Sequence, residues 1–209
     1  MKITSKAKKL LKTFPDEIQK YFFLSDKKLL KLGYKIILTH GASVNLGGGR
    51  CSGYYDEQNK VLKVALGKGW EHSFCVFLHE MQHHAQRMDP KSIWHTKISD
   101  NHTKFFQWLA GKNFRNPRVL AMSALVLERD CERRALAEIR KKYSHLIDPE
   151  VYAIKANAHL AGYFWVYQNR RWFKKSPYDR RLMAHCPAKL FRTFDDISDN
   201  LIAAMDRYL

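Results

Sequence analysis

Phe77-Leu78-His79-Glu80-Met81-Gln82-His83-His84-Ala85-Gln86 carries His-Glu-x-x-His inside a run that reads as a helix. Residues four apart on a helix share a face, so His79 and His83 can direct two imidazole nitrogens at one metal ion. Glu80 stands beside the first of them, where its carboxylate can accept a proton from a metal-activated water and later hand it to a leaving amine. A motif of this kind arises by chance in roughly one chain in fifty of this composition, so its surroundings must decide. Phe74, Phe77, Leu78, Met81 and Ala85 recur at helical spacing and form an apolar stripe that buries the helix against a core. Two histidines and a glutamate on a buried helix need partners, and a zinc ion supplies them.

The chain has 209 residues, 45% of them hydrophobic, enough for a sizeable core, and it is read as one domain over residues 1–209 with a basic helical extension at 1–30. Cys51, Cys75, Cys131 and Cys186 stand far apart without CxxC spacing, and the lysine-rich N-terminus has no signal-peptide pattern, which points to a reducing, cytoplasmic location. No apolar run reaches the length that crosses a bilayer, so no membrane partner is expected. The net charge of +17 is concentrated in the first 31 residues and between Lys155 and Arg192. Such a field favours polyanions, and it is open between a nucleic-acid or nucleoprotein partner and a solvated basic surface.

Two short helices are expected at Ser5 to Phe14 and Asp16 to Phe23, divided by Pro15, with Lys6, Lys8, Lys9 and Lys12 facing water. Extended segments at Tyr34 to Thr39, Arg50 to Tyr55 and Lys60 to Leu66 predict a small antiparallel sheet, with Lys60 to Leu66 as the edge against which an extended peptide could pair. Gly47-Gly48-Gly49 lacks the lysine and the helix opening of a phosphate loop and reads as a turn. Arg87 to Asn101 is polar and irregular, and a helical element begins near Lys104 and ends at Gly111. Asn116-Pro117 and Asp148-Pro149 each open a long helix, to Lys142 and to about Arg171, the second apolar on several sides and central to the core. A last helix spans Ile197 to Tyr208. The fold class is α+β, a mainly helical domain with a small N-terminal sheet beside the metal-binding helix.

A catalytic zinc takes three protein ligands and keeps one position for water. Glu128 and Glu132 share a helical face with Leu125 and Ala135, which fits a site better than a surface salt-bridged to Arg129, Arg133 and Arg134. One carboxylate would bind the metal and the other accept a ring N–H, most plausibly from His79. Cys131 between them is small enough to let this helix approach the motif helix closely. His102, after a loop, is the competing third ligand. His84 is offset from the motif face and His95 has no supporting pattern.

His79 to His83 together with Glu128-x-x-Cys131-Glu132 resembles the zincin metallopeptidases whose third ligand is a helix-borne glutamate. The resemblance implies His79, His83 and Glu128 as ligands, Glu80 as base and Glu132 as the carboxylate that orients a ligand, with Glu132 standing where such proteins often carry Asp or Asn. Leu127 to Ile139, Lys155-Ala156-Asn157-Ala158 and Arg170-Arg171-Trp172-Phe173 look like metallopeptidases encoded in phage and bacterial genomes, over about two thirds of the chain. Gly49-Arg50-Cys51-Ser52 and Asn101-His102 with Phe105 resemble the SprT-like proteases, although Thr103 replaces that family's glycine.

The expected function is a zinc-dependent metallopeptidase acting on a protein or peptide, with Tyr163, Tyr167 or His159 as candidate donors to the oxyanion. The alternative is a basic nucleic-acid or nucleoprotein binding protein whose metal site is structural or catalytically inactive.

Overall fold

A computed structural model describes residues 1–46 and 49–209. Of the turn expected at Gly47-Gly48-Gly49, Gly47 and Gly48 lie outside the described residues. The chain divides into two compact units, Met1–Ala85 and Gln86–Leu209.

In the first unit, β1 (Lys2–Ile3) leads to α1 (Ser5–Leu11), whose first turn is capped by the Thr4 hydroxyl accepting from the Ala7 amide. After Pro15, α2 (Asp16–Lys31) runs well past the expected end at Phe23, because Ile18, Phe22, Ser25 and Leu29 continue a buried stripe at three- and four-residue spacing. Gly33, at φ 79°, turns the chain back into β2 (Lys35–Thr39). Then come β3 (Val44–Leu46), β4 (Gly49–Cys51), β5 (Gly53–Asp56), β6 (Val61–Ala65) and α3 (Trp70–Met88), which carries the motif.

The α+β class holds, with antiparallel pairing between β3 and β4 and between β5 and β6. The main sheet is nevertheless mixed, in the order β1-β2-β6-β5, because β1 and β6 both run parallel to β2. The chain leaves β2, makes β3 to β5, and re-enters beside β2 in the same direction, which a direct hairpin could not do. This corrects the expected edge: Lys60 to Leu66 holds β6, flanked by β2 and β5, so its backbone groups are committed on both sides. Ile36 and Leu38 on β2 and Leu62 and Val64 on β6 alternate inward and are fully buried. Phe22 stacks on Phe77 of α3 at 4.1 Å, and Tyr21 meets Phe74 edge-on at 5.5 Å. Full burial of each such side chain contributes about 1.5–3 kcal/mol, so the apolar stripe of α3 fixes which way the motif faces.

The second unit is helical. Its helices are α4 (Lys97–Leu109), α5 (Pro117–Glu138), α6 (Pro149–Asn169), the short α7 (Arg180–Met183) and α8 (Asp199–Tyr208). Asp148 caps α6 by accepting from the Glu150 and Val151 amides. Asn116 holds the corresponding position before α5, but its side chain makes no capping bond; Pro117 alone marks that start. Beyond Glu138 the helix widens into a π-helical turn, Ile139–Tyr143. α4 begins at Lys97 rather than near Lys104, under a cap from Thr96, so His102 lies on a helix and not after a loop. Phe105, Leu125, Leu160, Val166, Leu182 and Leu201 form the fully buried centre of this unit. Among the described residues, no helix is long and apolar enough to cross a membrane.

Candidate metal centre

The stripe that buries α3 turns the motif residues to a neighbouring face of the same helix. His79, Glu80 and His83 are all buried, at 8%, 7% and 8% exposure, and each offers a ligand atom within 4.8 Å of the others. The two imidazole rings stand nearly perpendicular, at 84°, with their Nε2 atoms 3.2 Å apart. Two ligands on a tetrahedral zinc with bonds of 2.0–2.1 Å are about 3.3 Å apart, so this pair fits one ion. Cys51, on β4, has its thiol pushed up to about 11 by burial and then by the Glu80 carboxylate.

The neighbouring histidines do other things. His84 leaves the motif face and sets its ring edge-on between Tyr34 and Tyr55, at 5.0 and 5.9 Å, whose hydroxyls are themselves hydrogen-bonded at 2.8 Å. Both His84 ring nitrogens are buried without a hydrogen-bond partner, and burial together with the Lys28 ammonium holds its pKa below the usual histidine value. His95 donates to the Arg87 carbonyl at 2.9 Å and closes a loop.

In the second unit, Glu128 and Glu132 lie one turn apart on α5 and are both 5% exposed. Two of the three arginines around them have another carboxylate: Arg133 and Arg134 donate to Asp130, and Arg134 also reaches Asp89, while Arg129 Nε is buried without a hydrogen-bond partner. Burial raises the Asp130 carboxyl, but hydrogen bonds from Gln86, Arg133 and Arg134 outweigh it and hold the group below its usual value. Glu132 accepts from the Tyr152 hydroxyl at 2.5 Å and stands 3.4 Å from His159 Nδ1. Glu128 Oε1 is 3.6 Å from Nε2 of His102, a buried nitrogen without a hydrogen-bond partner. That separation is long for a hydrogen bond and near the spacing of two donors that share one cation. Two of the candidate ligands, His102 and Glu128, thus face each other within this unit.

Several partners escaped the sequence reading. Tyr152 and His159 are seven residues apart on α6, two helical turns, and so meet Glu132 from one face. Fully buried Gln86 donates to the Leu127 carbonyl at 3.0 Å and to Asp130 at 2.9 Å, and accepts from the Cys131 thiol at 3.0 Å. Of the candidate oxyanion donors, His159 engages Glu132, Tyr163 is packed against Phe105, His159 and Trp172, and Tyr167 stacks on Phe194.

Comparison with models of known protein families, with curated proteins and with solved structures finds no match to this chain.

Proposed function

We propose that this chain is a zinc-dependent metallopeptidase that hydrolyses peptide bonds in a protein or peptide substrate. The observation that carries the reading is the 3.2 Å approach of His79 Nε2 to His83 Nε2, with the Glu80 carboxylate in the same buried group. Zinc held by these residues would supply Lewis-acid chemistry, activating water and polarising the scissile carbonyl. Glu80 accepts the proton released by the attacking water and delivers it to the amine nitrogen as the peptide bond breaks. Glu128 is the proposed remaining ligand, with Glu132 and His102 as the alternatives, and the resemblance to zincins supports that order. A cytoplasmic setting is part of the proposal and accords with four cysteines of which none forms a disulfide among the described residues.

Metal content of the purified protein tests the reading. About one zinc per chain is expected, lost in His79→Ala and in His83→Ala. Among Glu128→Ala, Glu132→Ala and His102→Ala, the variant that loses metal identifies the further ligand. A wild-type protein that takes up no zinc on dialysis sinks the proposal.

A further inference from the structure

We propose that the second unit carries a binding surface for single-stranded nucleic acid, built on an exposed pair of aromatic rings and the basic segment that follows it. The rings are Phe106 on α4 and Trp172 just after α6, 38% and 43% exposed, stacked with centroids 5.9 Å apart and planes 30° apart. Large rings in that state on a charged surface call for a ligand with flat faces of its own.

The platform is held in place by its neighbours. α6 ends at Arg170, a non-glycine residue in the left-handed region at φ 48°. Its guanidinium donates to the Trp108 carbonyl at 3.2 Å and to the Lys112 carbonyl at 3.2 Å, and lies over the Trp108 ring at 5.1 Å. Phe173 turns inward onto Gly162, where a Cβ would come within 2.9 Å of the phenylalanine ring. Trp172 is thereby turned outward, braced edge-on by Tyr163 at 6.0 Å and Phe173 at 5.8 Å.

The segment that follows Trp172 is strongly basic. Residues 170–192 contain eight Lys and Arg against a single acid, Asp179, which Arg181 holds at 2.9 Å. Lys174, Lys175, Arg180, Lys189 and Arg192 are exposed. Cations alone would suit any polyanion, including a duplex or an anionic membrane. The ring pair selects among them, since a duplex keeps its base faces stacked inside and lipid headgroups have none, whereas a single strand offers both phosphates and open base faces.

The surface goes beyond the peptidase reading and does not depend on it. Fluorescence anisotropy of labelled oligothymidylate and oligouridylate, titrated with the full chain, tests it beside a mixed-sequence duplex and phosphatidylserine vesicles. Single strands should bind more tightly than duplex. Trp172→Ala should weaken them by about tenfold and Phe106→Ala by a similar factor, while Trp172→Phe keeps most of the affinity. The Lys174→Gln, Lys175→Gln double variant should weaken binding and reduce its dependence on salt. Circular dichroism controls for folding, and Phe106→Ala carries the test should Trp172→Ala not fold. Equal affinity for duplex with no loss in Trp172→Ala, binding to vesicles alone, or no binding at low salt would each overturn the proposal. Zinc content should be the same in Trp172→Ala as in wild type, so failure here and failure of the metal reading are read separately.

Discussion

Replacing His84 with phenylalanine should stabilise the first unit, although it removes a polar residue from beside the motif. His84 is 2% exposed, and both of its ring nitrogens are buried without a hydrogen-bond partner. Leaving such atoms unsatisfied costs about 1 kcal/mol each at the low end. A phenyl ring keeps the edge-on contacts to Tyr34 and Tyr55, while its one extra ring atom costs about 1 kcal/mol in a packed site. The net expectation near neutral pH is a gain of about 1 kcal/mol, or a midpoint about 2–4 °C higher. The gain should widen in acid. Burial, and then Lys28, lower the folded-state pKa of His84, so the unfolded chain takes up the proton first. In wild type the stability from this group is intact above about pH 6.5 and falls as pH drops toward the folded pKa, by at most about 1.4 kcal/mol per pH unit. The phenylalanine variant has no such loss. Thermal and urea unfolding of chelator-treated wild type and variant at about pH 7.5 and pH 5.5 measures both effects, with chelation removing any contribution from metal at His83. A variant less stable at the higher pH, or a difference that does not grow in acid, refutes the reasoning.

Glu80→Gln should retain zinc and lose hydrolysis by about 10²–10⁴-fold once a cleavable peptide is in hand; unchanged turnover would remove Glu80 as the base. Asn157, fully buried on α6, donates to the Pro187 and Lys189 carbonyls and accepts from the Phe191 amide. Asn157→Leu should cost about 2–4 kcal/mol and speed hydrogen exchange at Phe191, and an unchanged exchange rate would show that this loop is held by other contacts. Gly67→Ala would place a Cβ 2.7 Å from the backbone of His40 and Gly41, which cannot move as a side chain can, so about 2–3 kcal/mol of stability should be lost in urea unfolding.

The helices were legible where periodicity and capping agreed. α3 shows its stripe directly, α6 declares its start through Asp148-Pro149, and the buried Glu128 and Glu132 stand out because carboxylates on the face of Leu125 and Ala135 have no business at a surface. The run from Lys97 to Lys104, polar except for Ile98, hid the first two turns of α4, whose buried residues, Phe105 and Trp108, come only in its second half. That concealment made His102 look like a loop histidine. Strand order was beyond local reading: the parallel pairing of β2 with β6 depends on a long excursion through β3, β4 and β5, and alternation marks a strand without marking its neighbour. The partners of Glu132 were equally hidden, since Tyr152 reads as an ordinary member of a helix apolar on several sides and His159 as a candidate donor to the oxyanion. The resemblance to zincins and the expected peptidase activity rest on the motif, and their tests are chemical.

The left-handed turn at Arg170 has a bearing on how strongly the basic segment can respond to salt. A guanidinium tied to two carbonyls and laid over Trp108 is a structural brace, and the Arg181 guanidinium is occupied by Asp179. At most six of the eight cations between residues 170 and 192 are then left to displace counterions from a strand, since Arg171 lies over Trp165 and Lys189 and Arg192 act on Asp196. Their ceiling is a slope of about −4 for log affinity against log salt, and the high net charge of the whole chain does not raise it unless other regions also touch the strand. Two of its guanidinium groups thus serve architecture, and the formal charge overstates the number of direct phosphate contacts that the proposed surface would make.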